Sequence, residues 1–334
     1  MAELVLVTGG TGYLGGWCIV EALRRGYRVR TTVRNVAKAD AVRATVAGGG
    51  VEAGALEVVA ADLSSDAGWD AAMAGVDFVL HVASPISPEG VKRADDYVRP
   101  AVDGALRVLR AAVTAGVKRV VMTSSCAACA PKEVTREVTS DENTWSDPKK
   151  QADDWYRLSK TLAERAAWDF MNTSGGATEF ATVLPAAVFG PALNKESRSS
   201  LILIDRFVRG DMPGIPNFGA CVVDVRDVAD LHLRAMTAPE AKGQRFIAAG
   251  KFMWMREIAE TLRTRLGARG AKVPTKGVPD LVIRFGAIFN AQLRPMVHLL
   301  GRLVRYSSAK AERLLGWQRR REEDTVVECA ASLL

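Results

Sequence analysis

A tyrosine and a lysine four residues apart give the first chemical signal in this chain. Tyr156 and Lys160 lie in the segment DDWYRLSKTLAE, whose apolar spacing predicts a helix with both side chains on one face. A phenol has a pKa of about 10 and is a poor acid–base catalyst at neutral pH, but a nearby ammonium group lowers that pKa. Ser125 ends a predicted strand and would orient a carbonyl oxygen while Tyr156 delivers a proton. The spacing alone occurs often by chance, so its meaning depends on the elements around it.

The stretch ELVLVTGGTGYLGGW, residues 3–17, is the element that would position this chemistry. Leu4–Val7 is wholly apolar and predicts a strand buried on both faces, and a helical pattern follows the glycines. A strand, a glycine turn and a helix N-terminus form a phosphate cradle of free backbone N–H groups. The glycines are spaced G-x-x-G-x-x-G, which differs from the commonest dinucleotide fingerprint, G-x-G-x-x-G. Their position at the first strand-to-helix turn favours a nucleotide site.

Strands and helices then alternate regularly. Further strands are predicted at 27–33, 56–60, 76–83 and 117–125, with a helix at 94–115. This alternation predicts an α/β fold: a doubly wound, Rossmann-like parallel sheet with helices on both faces. Ligands of such sheets bind beyond the carboxyl ends of the strands. The groups expected to converge there are the glycine turn, Arg34, Ala83–Pro85 and Ser124–Ser125.

The end of the second predicted strand indicates the cofactor. NAD-binding folds usually carry an acidic residue there, whereas this strand ends in Arg34, with Lys38 close behind and no carboxylate before Asp40. An arginine fork suits a 2′-phosphate, so NADP is favoured. Asp62, after the third strand, would either meet the adenine amino group or cap a helix starting near Ser65. Both alternatives remain open.

The histidines and cysteines give little support for metal or redox chemistry. His81 lies inside an apolar strand and is predicted to be buried with a local hydrogen bond. Three histidines far apart, without H-E-x-x-H spacing, predict no metal site. Cys126 and Cys129 form a C-x-x-C, for which buried or pocket-lining thiols are favoured over a redox dithiol. Five scattered cysteines fit a reducing compartment.

Composition and charge further limit the class of protein to which this chain can belong. The 334 residues are 48% hydrophobic and 25% charged, as expected of an enzyme with one large α/β domain and a smaller lobe. The chain has no run of about 18 apolar residues, so no membrane span is predicted, and a strand from residue 4 leaves no room for a signal peptide. We therefore expect a cytoplasmic protein. The net charge is +7. Residues 251–334 carry this excess, and a solvated basic face is favoured over a nucleic-acid partner.

The second half of the chain predicts a smaller, mostly helical substrate lobe. We expect a Rossmann domain at 1–190, completed by about 219–250, a lobe at 191–218 and 251–320, and a C-terminal helix at 321–334. The strand at Cys221–Val223 is expected to return to the main sheet. Leu281–Val304 is apolar with basic interruptions at Arg284, Arg294 and Arg302 and a helix-disrupting Pro295. This pattern favours a lid or lobe core over a membrane-surface helix.

At this point the sequence resembles the extended short-chain dehydrogenase/reductases, within the branch of dihydroflavonol, cinnamoyl-CoA and microbial aldehyde reductases. The resemblance spans the whole chain, and DE-x-x-WSD is specific to the branch. It is carried by TGGTGYLGGW, VRTTVRN, HVASP, VMTSS, DENTWSD, YRLSKTLAE, LPAAVFGP, VVDVRDVADLH and YSSAKAERLLGW.

The resemblance implies NADPH-dependent reduction of an aldehyde or ketone, with Ser125, Tyr156 and Lys160 as catalytic residues. Ser125 is preferred to Ser124 because the family's serine is the last hydroxyl of the run. Lys160 would also bind the nicotinamide ribose. The implied cofactor contacts are Gly9, Gly12, Tyr13, Leu14, Arg34, Lys38, Asp62, Leu63, Val82, Ala83, Ser84, Tyr156, Lys160, Pro185 and Val188.

Two departures from the family pattern stand out. Cinnamoyl-CoA reductases read NWYCYGK where this chain reads DWYRLSK, which keeps the catalytic pair and weakens a CoA-thioester interpretation. Asp103 stands where the family more often has asparagine. Other functions remain open: a hydroxysteroid dehydrogenase, a nucleotide-sugar epimerase or dehydratase, or a non-catalytic cofactor-sensing protein. The partner is expected to be a small carbonyl substrate, and the chain a monomer or homodimer.

Overall fold

The structure, a computed structural model, describes residues 2–85, 93–131, 137–194, 201–289 and 297–334. Its strands are β1 (Leu4–Thr8), β2 (Arg28–Val33), β3 (Glu57–Ala60), β4 (Phe78–His81), β5 (Arg119–Thr123), β6 (Glu137–Ser140), β7 (Glu179–Pro185), β8 (Ala187–Phe189), β9 (Gly219–Asp224), β10 (Gln244–Ala248), β11 (Phe252–Trp254) and β12 (Leu303–Tyr306). Its helices are α1 (Tyr13–Arg24), α2 (Ala39–Ala47), α3 (Trp69–Met73), α4 (Ala94–Thr114), α5 (Trp155–Ser174), α6 (Ile202–Arg209), α7 (Val225–Thr237), α8 (Met255–Leu266), α9 (Asp280–Phe289), α10 (Ala309–Leu315) and α11 (Glu322–Leu333).

Seven parallel strands form the main sheet, in the order β3-β2-β1-β4-β5-β7-β10. The central strand β1 is apolar because both of its faces are covered, and all five of its residues are buried. The strand order reverses direction at β1, between β2 and β4. The predicted doubly wound, Rossmann-like α/β fold is confirmed, and the crevice at this reversal is where such sheets bind ligands.

Two hydrophobic cores, one on each face of the sheet, hold the helices in place. Alternate residues of β1 serve different cores, since successive side chains of a strand point to opposite faces. Val5 and Val7 join a core with helices α1 and α7, whereas Leu4 and Leu6 join a core with α3, α4 and α5. The carboxyl ends of the strands are thereby fixed at one edge, where the predicted site residues lie.

The remaining strands build small sheets outside the main one. Strand β9 pairs in parallel with β8 and antiparallel with β11, and β12 pairs in parallel with β6. The prediction that Cys221–Val223 returns to the main sheet is therefore wrong, because β10 occupies the position beside β7. Helix α11 packs on α8 and β9, close to the bounds predicted for a C-terminal helix.

The described residues contain no helix with the length and apolar character needed to cross a bilayer. Nor do those residues bring together three His, Cys, Asp or Glu side chains in a group that could hold a metal ion.

Candidate active site

The glycine turn between β1 and α1 is closed tightly on itself. Gly9 has φ +78°, and its carbonyl accepts the Gly12 N–H at 2.9 Å. A Cβ on Gly15 would collide with that same carbonyl oxygen. The first N–H groups of α1 have no partners within the helix and are open to a ligand. The cradle therefore fits an anion such as a pyrophosphate.

Helix α1 begins at Tyr13 and Leu14, but the Tyr13 side chain turns into the protein. It is 7% exposed and lies in the hydrophobic core, where burial, followed by the charges of Cys329 and Asp224, raises the pKa of its phenol. Its hydroxyl has no hydrogen-bond partner among the described residues. Only the backbone of Tyr13 is therefore available to the cradle.

The segment after β2 presents exposed positive charge. Arg34 and Lys38 are both exposed, and the Asn35 side chain accepts the Ala37 N–H at 2.9 Å, which starts the short 3₁₀ helix Val36–Lys38. This turn holds two cations at the end of the strand with no carboxylate between them. The arrangement fits a 2′-phosphate better than a ribose 2′-hydroxyl.

The residues after β3 form a turn. Asp62 accepts the Ser64 backbone N–H and hydroxyl, each at 2.8 Å, and these bonds lower the pKa of its carboxyl, with help from Arg34. The predicted helix near Ser65 is wrong, because α3 begins only at Trp69. Leu63 packs against α4, and its carbonyl accepts a hydrogen bond from Arg107.

A short hydrogen-bonded chain ties β1 to the end of β4. The Ala83 N–H donates to the Thr8 hydroxyl at 3.0 Å, and that hydroxyl lies 3.0 Å from His81 Nδ1. His81 is buried, and its pKa is lowered to about 3 by burial and secondarily by the charge of Lys160. The prediction that His81 is buried is confirmed, and its hydrogen-bond partner is Thr8 of the neighbouring strand β1, 73 positions away in the sequence. Val82, Ala83 and Ser84 follow as half-buried residues at this edge.

Ser125 and Tyr156 lie at the N-termini of two neighbouring helices. Ser125 begins the 3₁₀ helix Cys126–Cys129 by accepting the Ala127 N–H at 3.1 Å, and Asp154 caps α5 by accepting the Arg157 N–H at 3.1 Å. The Ser125 hydroxyl lies close enough to the Tyr156 phenol to lower its pKa through a hydrogen bond. Tyr156 keeps 39% of its surface exposed. The two hydroxyls therefore lie together at an open face.

The pKa of Tyr156 is nevertheless raised, because desolvation of the phenol outweighs the bond from Ser125. This direction is opposite to the predicted one. A phenol that stays protonated at neutral pH can act as a general acid but not as a general base.

Lys160 lies one turn along α5 and is 8% exposed. Burial lowers its pKa to about 8, and Glu164 opposes that shift. Its ammonium group has neither a hydrogen bond nor an ion pair within the described part of the chain. A buried donor of this kind fits a ligand hydroxyl.

Ser124 is distinguished from Ser125 by its partner. Its hydroxyl is buried and donates to Glu164 at 2.6 Å, and Thr182 donates to the same carboxylate at 2.9 Å. Arg245 completes the cluster with bonds of 2.8 and 3.1 Å to Glu164, and the pair is almost wholly buried. Ser124 thus serves this structural cluster, which leaves Ser125 as the hydroxyl facing Tyr156.

Arg245 also anchors the segment DENTWSD. Its guanidinium lies 3.7 Å from the Trp145 ring centre, and the Glu142 carboxylate accepts the Ile247 N–H at 3.0 Å. It further donates to the carbonyls of Glu142, Thr144 and Ala128. The segment is thereby fastened to β10 and to the 3₁₀ helix after Ser125. Sequence reasoning noted the motif but missed Arg245 and Glu164, because nothing local pairs them.

Gln151 makes a second link that sequence reasoning missed. Its amide donates to the Ala127 carbonyl at 2.8 Å and accepts from the Thr161 hydroxyl at 2.8 Å. The 3₁₀ helix that starts at Ser125 is thereby joined to α5, the helix that carries Tyr156. The two catalytic candidates consequently sit on one connected framework.

The C-x-x-C thiols are buried, as favoured from the sequence. Cys126 Sγ donates to the Leu184 carbonyl at 3.3 Å, and burial raises the pKa of this thiol. All five cysteines are free and buried. The remaining site predictions fall on neighbouring strands: Pro185 is buried at the end of β7, and Val188 is half-buried in β8.

Known proteins are similar to this chain in both sequence and architecture. A profile of the NAD dependent epimerase/dehydratase family matches residues 5–249. The chain is 34% identical over 266 residues to tetraketide alpha-pyrone reductase 2 of Arabidopsis thaliana, covering 78% of this chain and 82% of the relative. It is 36% identical over 264 residues to cinnamoyl-CoA reductase 1 of Oryza sativa subsp. japonica, covering 78% and 75%.

Solved structures of reductases have the same fold as this chain. The crystal structure of the yeast methylglyoxal/isovaleraldehyde reductase complexed with NADPH superposes with a TM-score of 0.82 at 26% identity, covering 99% of this chain and 98% of that one. Vestitone reductase from alfalfa superposes with a TM-score of 0.75 at 25% identity, covering 98% and 97%. The chain therefore belongs to the NAD dependent epimerase/dehydratase family, within the extended short-chain dehydrogenase/reductases, and is an oxidoreductase.

Proposed function

We propose that this protein reduces an aldehyde or ketone to the alcohol with NADPH, taking the proton from Tyr156. The observation that carries the proposal is that the Ser125 hydroxyl lies beside the exposed phenol of Tyr156. One helical turn away is the ammonium group of Lys160, which has no partner among the described residues. These three groups lie at the strand ends of a dinucleotide-binding sheet. The proposed catalytic residues are therefore Ser125, Tyr156 and Lys160.

The cofactor would lie along the carboxyl edge of the sheet and, when bound, would supply the hydride. The glycine turn and the start of α1 would bind the pyrophosphate. Arg34 and Lys38 would bind the 2′-phosphate, and Lys160 would donate to the nicotinamide ribose. Flanking contacts are assigned to Asp62, Leu63, Val82, Ala83, Ser84, Pro185 and Val188.

The chain's own groups would manage the proton. Ser125 orients the carbonyl oxygen by hydrogen bonding, and Tyr156 holds its proton on the phenolic oxygen until negative charge develops on the substrate oxygen. A phenol with its ordinary pKa of about 10 already holds this proton at neutral pH, and burial, which raises the pKa of Tyr156, acts in the same direction. Lys160 then stabilises the phenolate left behind, since an opposite charge nearby favours the ionised form.

The relatives support this reaction class. Their names identify reductases of cinnamoyl-CoA, dihydroflavonol and methylglyoxal or isovaleraldehyde, and the yeast enzyme holds NADPH. We infer a medium-sized, partly aromatic or apolar carbonyl substrate. The five free thiols support a reducing compartment, the cytoplasm. The competing epimerase, dehydratase and hydroxysteroid dehydrogenase functions share the three catalytic residues, and epimerases and dehydratases recycle their nicotinamide.

A screen of NADPH and NADH oxidation with aromatic aldehydes and β-ketoesters tests the proposal. We expect stoichiometric NADPH consumption and alcohol formation with at least one carbonyl, and a higher kcat/KM with NADPH than with NADH. Conversion of a nucleotide sugar without net cofactor consumption would contradict it and favour the epimerase. Purified protein that binds NADPH but reduces no carbonyl in a broad panel would favour a cofactor-sensing protein.

A further inference from the structure

Helix α9 turns a large apolar face outward. Five of its ten residues are exposed large apolar side chains, and the two phenylalanines pack edge to face at 5.4 Å. Leu281 and Phe289 are each 78% exposed, and the others are Val282, Phe285 and Ile288. The opposite face of the helix is buried through Ile283 and Ala287.

The exposed positions follow helical spacing. Residues 281, 285 and 288 share one side of a helix, with 282 and 289 beside them, so they form one continuous surface, the α9 face. A large contiguous apolar patch on the surface of a monomer marks a binding surface. The exposed side chains of α9 are therefore not part of a lobe core, one of the two alternatives expected for Leu281–Val304, whereas a lid stays a prediction. Arg294 and Pro295 of that prediction lie outside the described residues.

The sequence that flanks α9 is strongly basic. Residues 261–306 contain nine Lys and Arg and a single acidic residue, Asp280. Arg284 lies on α9 itself, three residues after Leu281 and four before Ile288, so it borders the apolar face. Five of these cations are exposed and make no ion pair with the described residues: Arg269, Lys272, Lys276, Arg284 and Arg302.

The exposed apolar side chains and the basic flanking sequence together indicate what binds the α9 face. A second copy of this chain would bring like charges together. A stable dimer interface also takes about 20–30 residues from each partner, whereas the α9 face offers five large apolar side chains. An anionic lipid surface satisfies both properties, because its headgroups attract the cations and its acyl boundary accepts the apolar side chains.

We propose that the α9 face docks this protein on the surface of an anionic membrane. Helix α9 lies in the plane of the interface, with Phe285 and Phe289 inserted at the level of the headgroups and Arg284 beside the lipid phosphates. The attachment is peripheral and reversible, since one short helix supplies all of the inserted side chains. It does not depend on the reductase activity.

Cosedimentation of the full chain with vesicles tests this docking. We expect binding to vesicles that contain phosphatidylglycerol and phosphatidylcholine, weaker binding to phosphatidylcholine alone, and release by salt. Phe285→Ser with Phe289→Ser should lower the partition coefficient by at least about tenfold. The matched control is Ile202→Ser on α6, which removes an apolar side chain that is 58% exposed, against 66% for Phe285 and 78% for Phe289. This variant should leave binding unchanged.

Three outcomes of the vesicle experiment would contradict the proposal. Wild-type protein that ignores anionic vesicles overturns it, as does a Phe285/Phe289 variant that binds as well as the wild type. A dimer in light scattering that dissociates in that variant, without vesicle binding, assigns the face to a second copy. Circular dichroism and thermal unfolding establish that the variants are folded, which is expected because every substituted side chain is exposed.

Discussion

Arg245→Met is the sharpest test of how the candidate site is held together. The substitution keeps an unbranched apolar stem and removes the guanidinium that binds Glu164 at 2.8 and 3.1 Å and stacks on Trp145. It leaves a carboxylate whose side chain is 0% exposed without its cation. Removing one partner of a buried ion pair costs about 3–5 kcal/mol of unfolding free energy.

That cost converts to a shift in melting temperature. The entropy of unfolding is about 2.1 cal/mol/K per residue, or about 0.7 kcal/mol/K for this chain, so Arg245→Met should lower Tm by about 4–7 °C. The assay is thermal unfolding followed by circular dichroism. Arg28→Met is the matched control, because its ion pair with Glu57 at 2.9 Å is largely exposed and is worth less than about 1 kcal/mol.

A double variant separates the ion pair from the other contacts of Arg245. Combining Glu164→Met with Arg245→Met removes both charges, so the combined loss should be smaller than the sum of the single losses by about 1–3 kcal/mol. A Tm shift for Arg245→Met no larger than that of Arg28→Met would refute the reasoning. Strict additivity of the two core substitutions would refute the pairing.

Three further outcomes are expected. Gly15→Ala should weaken NADPH binding in a fluorescence titration by at least about tenfold, since its Cβ would collide with the Gly9 carbonyl; unchanged affinity would contradict the cradle. Arg34→Glu should raise the KM for NADPH by about tenfold or more and spare that for NADH; a parallel change would remove its assigned role. Burial holds the pKa of His81 at about 3 and that of His232 at about 4. Above about pH 6.5 both histidines are neutral in the folded and the unfolded chain. Below it the unfolded chain binds two more protons, so the unfolding free energy falls by about 3 kcal/mol per pH unit down to about pH 4. Unfolding free energies measured at several pH values should show this slope, and His232→Gln should roughly halve it.

Local pattern was enough to predict the scaffold. The apolar run Leu4–Val7 and the glycines after it signal a buried strand and a phosphate turn through neighbouring residues alone, so the positions of β1 and α1 follow from the sequence. The same holds for Tyr156 and Lys160, because helical spacing puts them on one face. The burial of His81 was predicted correctly, because the residues around it in the strand are apolar, but its partner Thr8, 73 positions away, was not named.

Long-range pairing was not predictable in this way. Glu164 and Arg245 are separated by 81 positions, and neither carries a local sign of the other. The pKa of Tyr156 was predicted in the wrong direction because charge proximity is visible in a helical repeat, whereas desolvation depends on what packs around the phenol. Two other features also depend on how elements far apart in the sequence pack: the small sheet in which β9 pairs, and the exposed apolar face of α9.

The central claim is that Tyr156 supplies the proton in carbonyl reduction, and Tyr156→Phe tests it most directly. The substitution removes one oxygen from a side chain that is 39% exposed, so the fold and the cofactor cradle should be unaffected. With a carbonyl that the wild-type enzyme reduces, we expect a loss in kcat of about 10²–10⁴-fold and an unchanged dissociation constant for NADPH. Wild-type turnover by this variant would contradict it.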